Sequence, residues 1–460
     1  MRHFFVQKLS VLFLSLLAFQ IPLEAAICRF PTSLLPRNNQ EQGTLAVVID
    51  AASSGRFLGP AFKAKNIEIA HIQSAQVLPK WAERGLDLNP FPKKNRIVHG
   101  EDLAATANAL QKLAGRKKLI IIPGAETGVE LSEQLNAYLK LTNANDAGDW
   151  MIRKDKFLMN QAASTAGLRT ARQQKVSEFK DAQAFADIVG YPIVVKPQNS
   201  SGGNLVTIAE NPAELKTGIE RIVRVKNGDL RISSHAVVLE YLDGKEFAVN
   251  GVASDGYYVV TDVIEYDKIR VPGRGNTYKS DFLAAPRNNN TKIAIDYGLG
   301  VLPALGFRNG PFHLEIKVDP KLGPALIELN ARTCGGGLPQ WTSRATEVDF
   351  FELVTLAYLD PQTFKKIPTL SYRIKQELKA FMLRTPRGGL KLKDEMVAKM
   401  NALPGVAEIT WFHPPHAELP ETVDYDSSAA RIIIMSHYPA IVESTFSTLE
   451  RWLETEYFFK

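Results

Sequence analysis

Glu328, Asn330 and Arg332 stand two residues apart in the run Ile327-Glu328-Leu329-Asn330-Ala331-Arg332. In an extended chain that spacing turns all three side chains to one face, and Ile327, Leu329 and Ala331 to the other. The apolar face can pack on a core, whereas the polar face is too rich in charge to be buried without a ligand. A solvated edge strand is the plain alternative. Glu315 lies on the preceding extended segment, Gly310 to Lys317, and the polar turn Asp319-Pro320-Lys321-Leu322-Gly323-Pro324 lets a hairpin bring it beside Glu328. Two carboxylates and an amide carbonyl are oxygen donors suited to a hard cation. Glu315, Glu328 and Asn330 therefore read as a site for one or two magnesium ions, with manganese as a substitute. Without a metal, the clustered carboxylates would repel one another.

A second chemical signal is Val195-Lys196-Pro197-Gln198-Asn199-Ser200-Ser201-Gly202-Gly203, where a predicted strand delivers a lysine and a small-residue loop turns into another strand. A Walker A loop runs from strand into helix, so this is not one. Phosphate would instead lie under a hairpin whose backbone amides form the cradle, or the segment is an ordinary turn. His313 shares its strand face with Glu315 and Lys317, which places it either near the same cleft or as a satisfied core histidine. Arg332 carries a permanent, forked charge that can hold a phosphate or a carboxylate and stabilise a transition state in which phosphoryl charge moves.

Three of these segments occur in a characteristic order: Lys196-Pro197 followed by Ser201-Gly202-Gly203, then Leu239-Glu240-Tyr241-Leu242-Asp243-Gly244-Lys245-Glu246, then Glu328-Leu329-Asn330-Ala331-Arg332. In this the chain resembles the ATP-grasp superfamily over about Trp150 to Leu359. The flanking Ser53-Ser54-Gly55-Arg56, Pro123-Gly124-Ala125-Glu126-Thr127-Gly128 and His313-Leu314-Glu315 look most like its L-amino-acid ligase branch. The resemblance implies an ATP- and magnesium-dependent, ADP-forming carboxylate–amine ligase that passes through an acyl phosphate. It implies that Lys156, of Arg153-Lys154-Asp155-Lys156, and Lys196 contact the nucleotide phosphates while Ser201, Gly202 and Gly203 close over them. It also implies that Glu240, Tyr241 and Leu242 form the hinge beside adenine, and that Glu246 accepts from the ribose hydroxyls. Where the family often has an acidic residue just before the hinge glutamate, this chain has Leu239. Arg332 and His313 are the implied catalytic pair. Glu126 is placed to hold a substrate ammonium group, Gly336 to let the chain turn beside the acyl phosphate, and Trp341 to wall a side-chain pocket.

The elements that must position these residues fall into three parts. Short apolar runs at Leu45 to Asp50, Ile67 to Ile72 and Leu119 to Ile122 alternate with helical patterns at Leu103 to Leu113 and Val129 to Leu141, which predicts a small parallel sheet. Ser53-Ser54-Gly55 lacks the further glycines of a dinucleotide fingerprint and reads as a structural turn. Residues 43–149 thus form a Rossmann-like pre-ATP-grasp lobe, 150–360 the ATP-grasp nucleotide-binding and catalytic domain, and 361–460 a closing α+β subdomain, giving a mixed α/β and α+β architecture. The Gly/Arg/Asn-rich stretch from Arg270 to Thr277 reads as a long polar lid over the site.

The 460 residues exceed one hydrophobic core, in keeping with several packed lobes. A charge of +6 is spread without basic runs, which argues against nucleic acid; the resemblance implies small-molecule carboxylate and amine substrates as partners. Arg2, His3 and Lys8 precede an apolar stretch from Leu9 to Phe19 and the pair Ala25-Ala26, so residues 1–26 read as a signal-peptide-like leader too short for a comfortable span. The leader points to export and the ATP requirement to a cytosol. The mature form is expected to have no stable membrane span and is compatible with a homodimer. Two other readings stand beside amide formation. One is another ATP-grasp phosphotransfer or carboxylation, although no carrier domain is present. The other is a non-catalytic ATP-binding sensor.

Overall fold

The computed structural model describes residues 43–460, apart from 76, 149, 199–202, 204 and 226–231. The leader-like segment, together with Ser201 and Gly202, lies outside the described residues.

Four parallel strands, β1 (Thr44–Ile49), β2 (Glu68–Gln73), β3 (Arg96–Val98) and β4 (Lys118–Pro123), pair in the order β3-β2-β1-β4. Residues 45–49 of β1 are wholly buried, as a central parallel strand covered on both faces requires. The turns leaving β1 and β4 lie against each other. A Cβ on Gly55 would sit 2.0 Å from the carbonyl oxygen of Gly124, and one on Gly128 2.6 Å from that of Ile49. Gly55→Ala must therefore move backbone, and should cost about 1–3 kcal/mol of stability. Urea unfolding measures it, and an unchanged midpoint would show that the two turns are not in contact.

The helix Lys156–Thr165 opens the second part. Its first turn is capped by Asp155, whose Oδ1 accepts from the amides of Phe157 (2.8 Å) and Leu158 (3.1 Å). A small antiparallel sheet follows, made of β5 (Gln173–Val176), β6 (Ile193–Pro197), β7 (Thr207–Ala209) and β8 (Ala236–Glu240) in the order β5-β8-β6-β7. Below it runs an eight-stranded sheet. Its strands are β9 (Lys245–Ser254), β10 (Tyr257–Arg270), β11 (Asn276–Leu283), β12 (Gly310–Asp319), β13 (Gly323–Asn330), β14 (Glu377–Leu383), β15 (Val406–Trp411) and β16 (Ala430–Ser436), ordered β13-β12-β9-β10-β11-β14-β16-β15.

Three local expectations change here. The expected lid at Arg270 to Thr277 is the tip of a hairpin, because β10 continues to Arg270 and β11 resumes at Asn276. Polar residues on a two-sided strand had hidden its period. The tip is tied to the small sheet by Ile208 N–H to the Arg274 carbonyl (2.9 Å), Arg221 to the Gly273 carbonyl (2.8 Å), and an ion pair between Arg270 and Glu210. Strand β13 ends at Asn330, so Arg332 projects from the turn beyond it, and a bulge opposite Glu315/Ile316 lets Ile327 line a cavity while Leu329 and Ala331 stay in the core. The C-terminal segment adds β14, β16 and β15 to the central sheet, and packs its own core of Phe381, Met396, Ile432, Leu449 and Phe458 against them. Among the described residues no helix is long and apolar enough to cross a membrane.

Candidate active site: two cavities that share a wall

Two cavities open between the small sheet, the central sheet and the N-terminal lobe, and they share Tyr278, Glu315 and Glu328. In the first, Ala171, Val194, Val206, Ile208, Leu239, Leu242, Leu326 and Ile327 form an apolar slot. Its other end carries Lys156, Lys196, Lys268 and Lys317 with Glu246, Glu315 and Glu328. An apolar slot leading to clustered ammonium groups suits a flat base joined to a polyanion.

The lysines are placed by the elements that carry them. Lys156 is the first helical residue after the Asp155 cap. Its backbone N–H reaches the Gln198 carbonyl (3.2 Å), and Gln198 donates to Asp155 Oδ2 (2.7 Å), so the cap and the loop after Lys196 hold each other. Lys156 Nζ pairs with Glu328 Oε2 at 2.6 Å. Lys196, on β6, is 8% exposed; burial and the neighbouring Lys156 lower it to about 8, against the pull of Glu328, Glu315 and Glu246. A cation held this close to losing its proton gains most from an arriving anion.

Lys268 was not foreseen. A bulge between Asp267 and Lys268 in β10 re-aims it into the cavity, where it pairs with Glu246. Burial alone would lower it, but Glu246, Tyr278 and Glu315 outweigh that and raise it well above the usual lysine range. Tyr241 lies along the same cavity beside Glu240 and Leu242, with Arg270 and Lys317 over its ring at 5.5 and 5.2 Å. Gly203 is at the cavity wall with φ +77°, a backbone conformation that glycine adopts without strain. The Glu240 carboxylate accepts from Arg172 Nε (2.9 Å) at the rim, next to Tyr241 and Leu242 of the cavity lining.

At the shared wall, Glu315 and Glu328 are direct cross-strand partners, as are His313 and Asn330. Like charges directly opposite destabilise a sheet unless cations offset them. Here Lys156 offsets Glu328, and His313 Nε2 lies 3.2 Å from Glu315 Oε1. Burial pushes Glu315 up, yet the His313 hydrogen bond and the nearby Lys268 prevail and bring it to about 2. His313 is 4% exposed and its Nδ1 lies 2.7 Å from Asn250 Oδ1, while Asn250 donates to Asp262 Oδ1 (2.7 Å). Burial works against its charge, but Cys334 and Glu315 raise it to about 10. The structure thus places the expected catalytic His313 between Asn250 and Glu315, with Tyr266 Oη 3.4 Å from Nε2, where it orients the Glu315 carboxylate. Asn330 Nδ2 donates to Glu328 Oε1 (3.2 Å), and its Oδ1 accepts from Arg332 (3.2 Å).

The second cavity is lined by Ser53, Ser54, Glu126, Asp281, Arg332, Cys334, Gly336, Leu338, Tyr425 and Arg431, among others. Glu126 was expected to hold a substrate ammonium, but both its oxygens are engaged: Oε1 accepts from Lys154 (2.5 Å) and Oε2 from Arg332 Nε (2.9 Å). Burial raises it, and Lys154 and Arg332 together hold it well below the usual carboxylate range. Its observed work is to aim Arg332. Gly336 has φ +69°. Its N–H donates to Ser53 Oγ (2.7 Å), its carbonyl accepts from Arg431, and a Cβ there would lie 2.2 Å from the Arg431 guanidinium. Trp341 does not line this cavity: it sits in the core on the helix Leu338–Thr346, with its indole N–H donating to Glu408 (2.8 Å) and Leu338 standing at the wall instead.

Tyr278, Tyr425, Asp281 and Arg431 are further lining residues that sequence reasoning missed. Arg431 did leave a trace, since a cation opening the apolar strand run Arg431-Ile432-Ile433-Ile434 has to find an anion or a ligand. Burial raises Asp281 to about 7 in spite of Arg431 and Lys268.

Residues 189–339 match the family model of the ATP-grasp domain. Dapdiamide A synthase of Enterobacter agglomerans is 28% identical over 425 residues, covering 92% of this chain and 97% of the relative. The L-amino acid ligase of Bacillus licheniformis superposes with a TM-score of 0.67 at 16% identity, covering 89% of this chain and 98% of that one. The carboxyaminoimidazole ribonucleotide synthase of Aspergillus clavatus, solved with ATP, superposes with a TM-score of 0.65 at 14% identity, covering 90% and 99%. With the apolar slot, the lysine cluster and the paired carboxylates in the places described, the chain carries an ATP-grasp domain and resembles ATP-grasp carboxylate–amine ligases over nearly its whole length.

Proposed function

We propose that this ligase uses ATP and magnesium to activate a substrate carboxylate as an acyl phosphate, and then joins it to an amine as an amide, with dipeptide-like products in its range. The observation that carries the reading is the shared wall. A nucleotide seated in the first cavity, with its base between Leu239, Leu242 and Ile327 and its ribose toward Glu246, directs its terminal phosphate at Glu315 and Glu328. A carboxylate seated in the second cavity meets that phosphate from the other side.

The donor set at the wall fits magnesium. Among the described residues no three His, Cys, Asp or Glu side chains form a ready cage. Two facing carboxylates and one amide leave positions for nucleotide phosphates and water, which is how magnesium is usually held. Bound through Glu315, Glu328 and Asn330, it would neutralise charge on the terminal phosphates.

The protein's own groups then position and balance charge. A carboxylate oxygen attacks the γ-phosphorus, the bond to the β-γ bridging oxygen breaks, and ADP leaves with the electron pair. Lys156 and Lys196 follow the moving charge, and Gly203 presents backbone at the cavity edge. Arg332, aimed by Glu126 and Asn330, stabilises first the attacking carboxylate and then the acyl phosphate. The amine nitrogen, in its neutral form, next attacks the acyl carbon, the bond from that carbon to the phosphate oxygen breaks, and phosphate departs with the electron pair while the nitrogen's surplus proton passes to phosphate or solvent. Exclusion of water protects the mixed anhydride in the meantime.

The reading is tested by incubating the enzyme with ATP, magnesium and pairs of amino acids, measuring ADP and phosphate, and identifying products by mass. Phosphate release that needs both an acid and an amine, with an amide product, is the expected result. ATP bound without turnover would make the chain a sensor, and phosphate transfer without an amine would make it another kind of ATP-grasp enzyme.

A further inference from the structure

A row of polar residues crosses the middle of the eight-stranded sheet. Asp262 on β10, Asn250 on β9, His313 on β12 and Asn330 on β13 are direct cross-strand partners in turn. A bulge at Thr261 brings Asp262 into register with Asn250. Two residues along the same strands stand Ala248, Val252 and Ile264, all buried and apolar. Asp262 and Asn250 are each 2% exposed, and neither is among the residues lining the two cavities. A hydrophobic residue of similar volume would hold such a place as well or better, so stability does not account for a carboxylate there.

The bonds that start at Asp262 run in one direction. Its Oδ2 accepts from the hydroxyls of Thr261 (3.0 Å) and of Thr342 (3.2 Å), on the helix Leu338–Thr346. Its Oδ1 accepts from Asn250 Nδ2 (2.7 Å), which fixes the amide with its oxygen toward His313. An amide oxygen only accepts, so His313 Nδ1, 2.7 Å away, carries a proton. The ring is thereby held with Nε2 3.2 Å from Glu315 Oε1, and Glu315 faces Glu328 across the strands. Released from Asp262, the amide would be free to turn over and offer its NH2 group to Nδ1. The ring would then lose the bond that aims it, and Glu315 would lose its orientation beside a like charge.

Resting on the magnesium reading above, we propose that Asp262 and Asn250 are positioning residues of the metal site. They touch neither metal nor substrate, and through His313 they hold the Glu315 carboxylate toward Glu328. Metal affinity is thus set in part from the interior of the sheet, one strand beyond the residue that bonds the ligand.

Binding of a non-hydrolysable ATP analogue, followed by calorimetry in EDTA and across a magnesium series, reads the metal without turnover. Magnesium should tighten binding to the parent enzyme. Asp262→Asn keeps the volume but frees the Asn250 amide; it should leave affinity in EDTA within about twofold and raise the magnesium midpoint by roughly tenfold, the lower end for partners that orient a metal's ligands. Asn250→Ala cuts the line at the next link and should act alike. Added to Glu315→Gln, Asp262→Asn should shift the midpoint no further, because the line acts only through that carboxylate. An unchanged midpoint in either folded variant, or a second full shift in the Glu315→Gln background, would overturn the assignment. So would a loss of affinity that is equal in EDTA and in magnesium, which marks a merely structural role. If neither variant folds, NMR of isotope-labelled histidine in the parent enzyme decides: His313 Nδ1 should carry a proton, and a bare Nδ1 would sink the proposal. Magnesium without effect on the parent enzyme would instead remove the metal reading, and this inference with it.

Discussion

Arg332→Met lowers the rate of amide formation by about 10²–10³-fold, the usual loss when one preorganised donor to developing charge is removed. Nucleotide affinity stays near that of the parent enzyme, because Arg332 lines the second cavity and not the first. The side chain is held at three points, by Glu126, by Asn330 and by the Thr333 carbonyl (2.8 Å), so its position is set before substrate arrives. Methionine keeps much of the volume, and Glu126 keeps Lys154, so the buried carboxylate is not left without a cation. Arg332→Lys restores charge without the fork and should recover only part of the rate. ATP affinity by calorimetry, together with product formation by mass, separates the two effects. A parallel loss of ATP binding, or full activity in the methionine variant, would remove Arg332 from the transfer step.

Glu315→Gln is expected to reduce ATP-dependent phosphate release by at least about a hundredfold, since a metal at the transferred phosphate supplies several kcal/mol of charge stabilisation. Glu315 is the one carboxylate common to both cavities that is oriented by a buried histidine, in the line Asp262, Asn250, His313. The residual activity should rise with magnesium well beyond the concentration that saturates the parent enzyme, because a weaker ligand set is filled later. Phosphate release measured across a magnesium series reads this directly. An unchanged magnesium dependence in a folded variant would place the metal elsewhere.

What the chain discloses by itself follows from short-range physics. Alternation in Glu328-Leu329-Asn330 puts two polar donors on one face because strand side chains repeat every two residues, and the turn at Asp319 to Pro324 returns the chain so that Glu315 must lie across from Glu328. The same reasoning located Lys196 before its loop and Asp155-Lys156 at a helix start, where the cap fixes the neighbouring side chain. It failed where polarity was mistaken for irregularity, at Arg270, and where an aromatic residue beside a glycine turn was mistaken for a pocket wall, at Trp341.

The tertiary structure decided what no local pattern encodes: that Glu126 aims Arg332 from 206 residues away, that a bulge turns Lys268 inward, and that a strand from the last third of the chain brings Arg431 into the same space as Asp281. Sequence fixes which face of its own strand a side chain takes, because that depends on neighbouring dihedrals. Which distant charges share a buried space depends on the order in which strands join a sheet, and that order is set by the packing of the whole core.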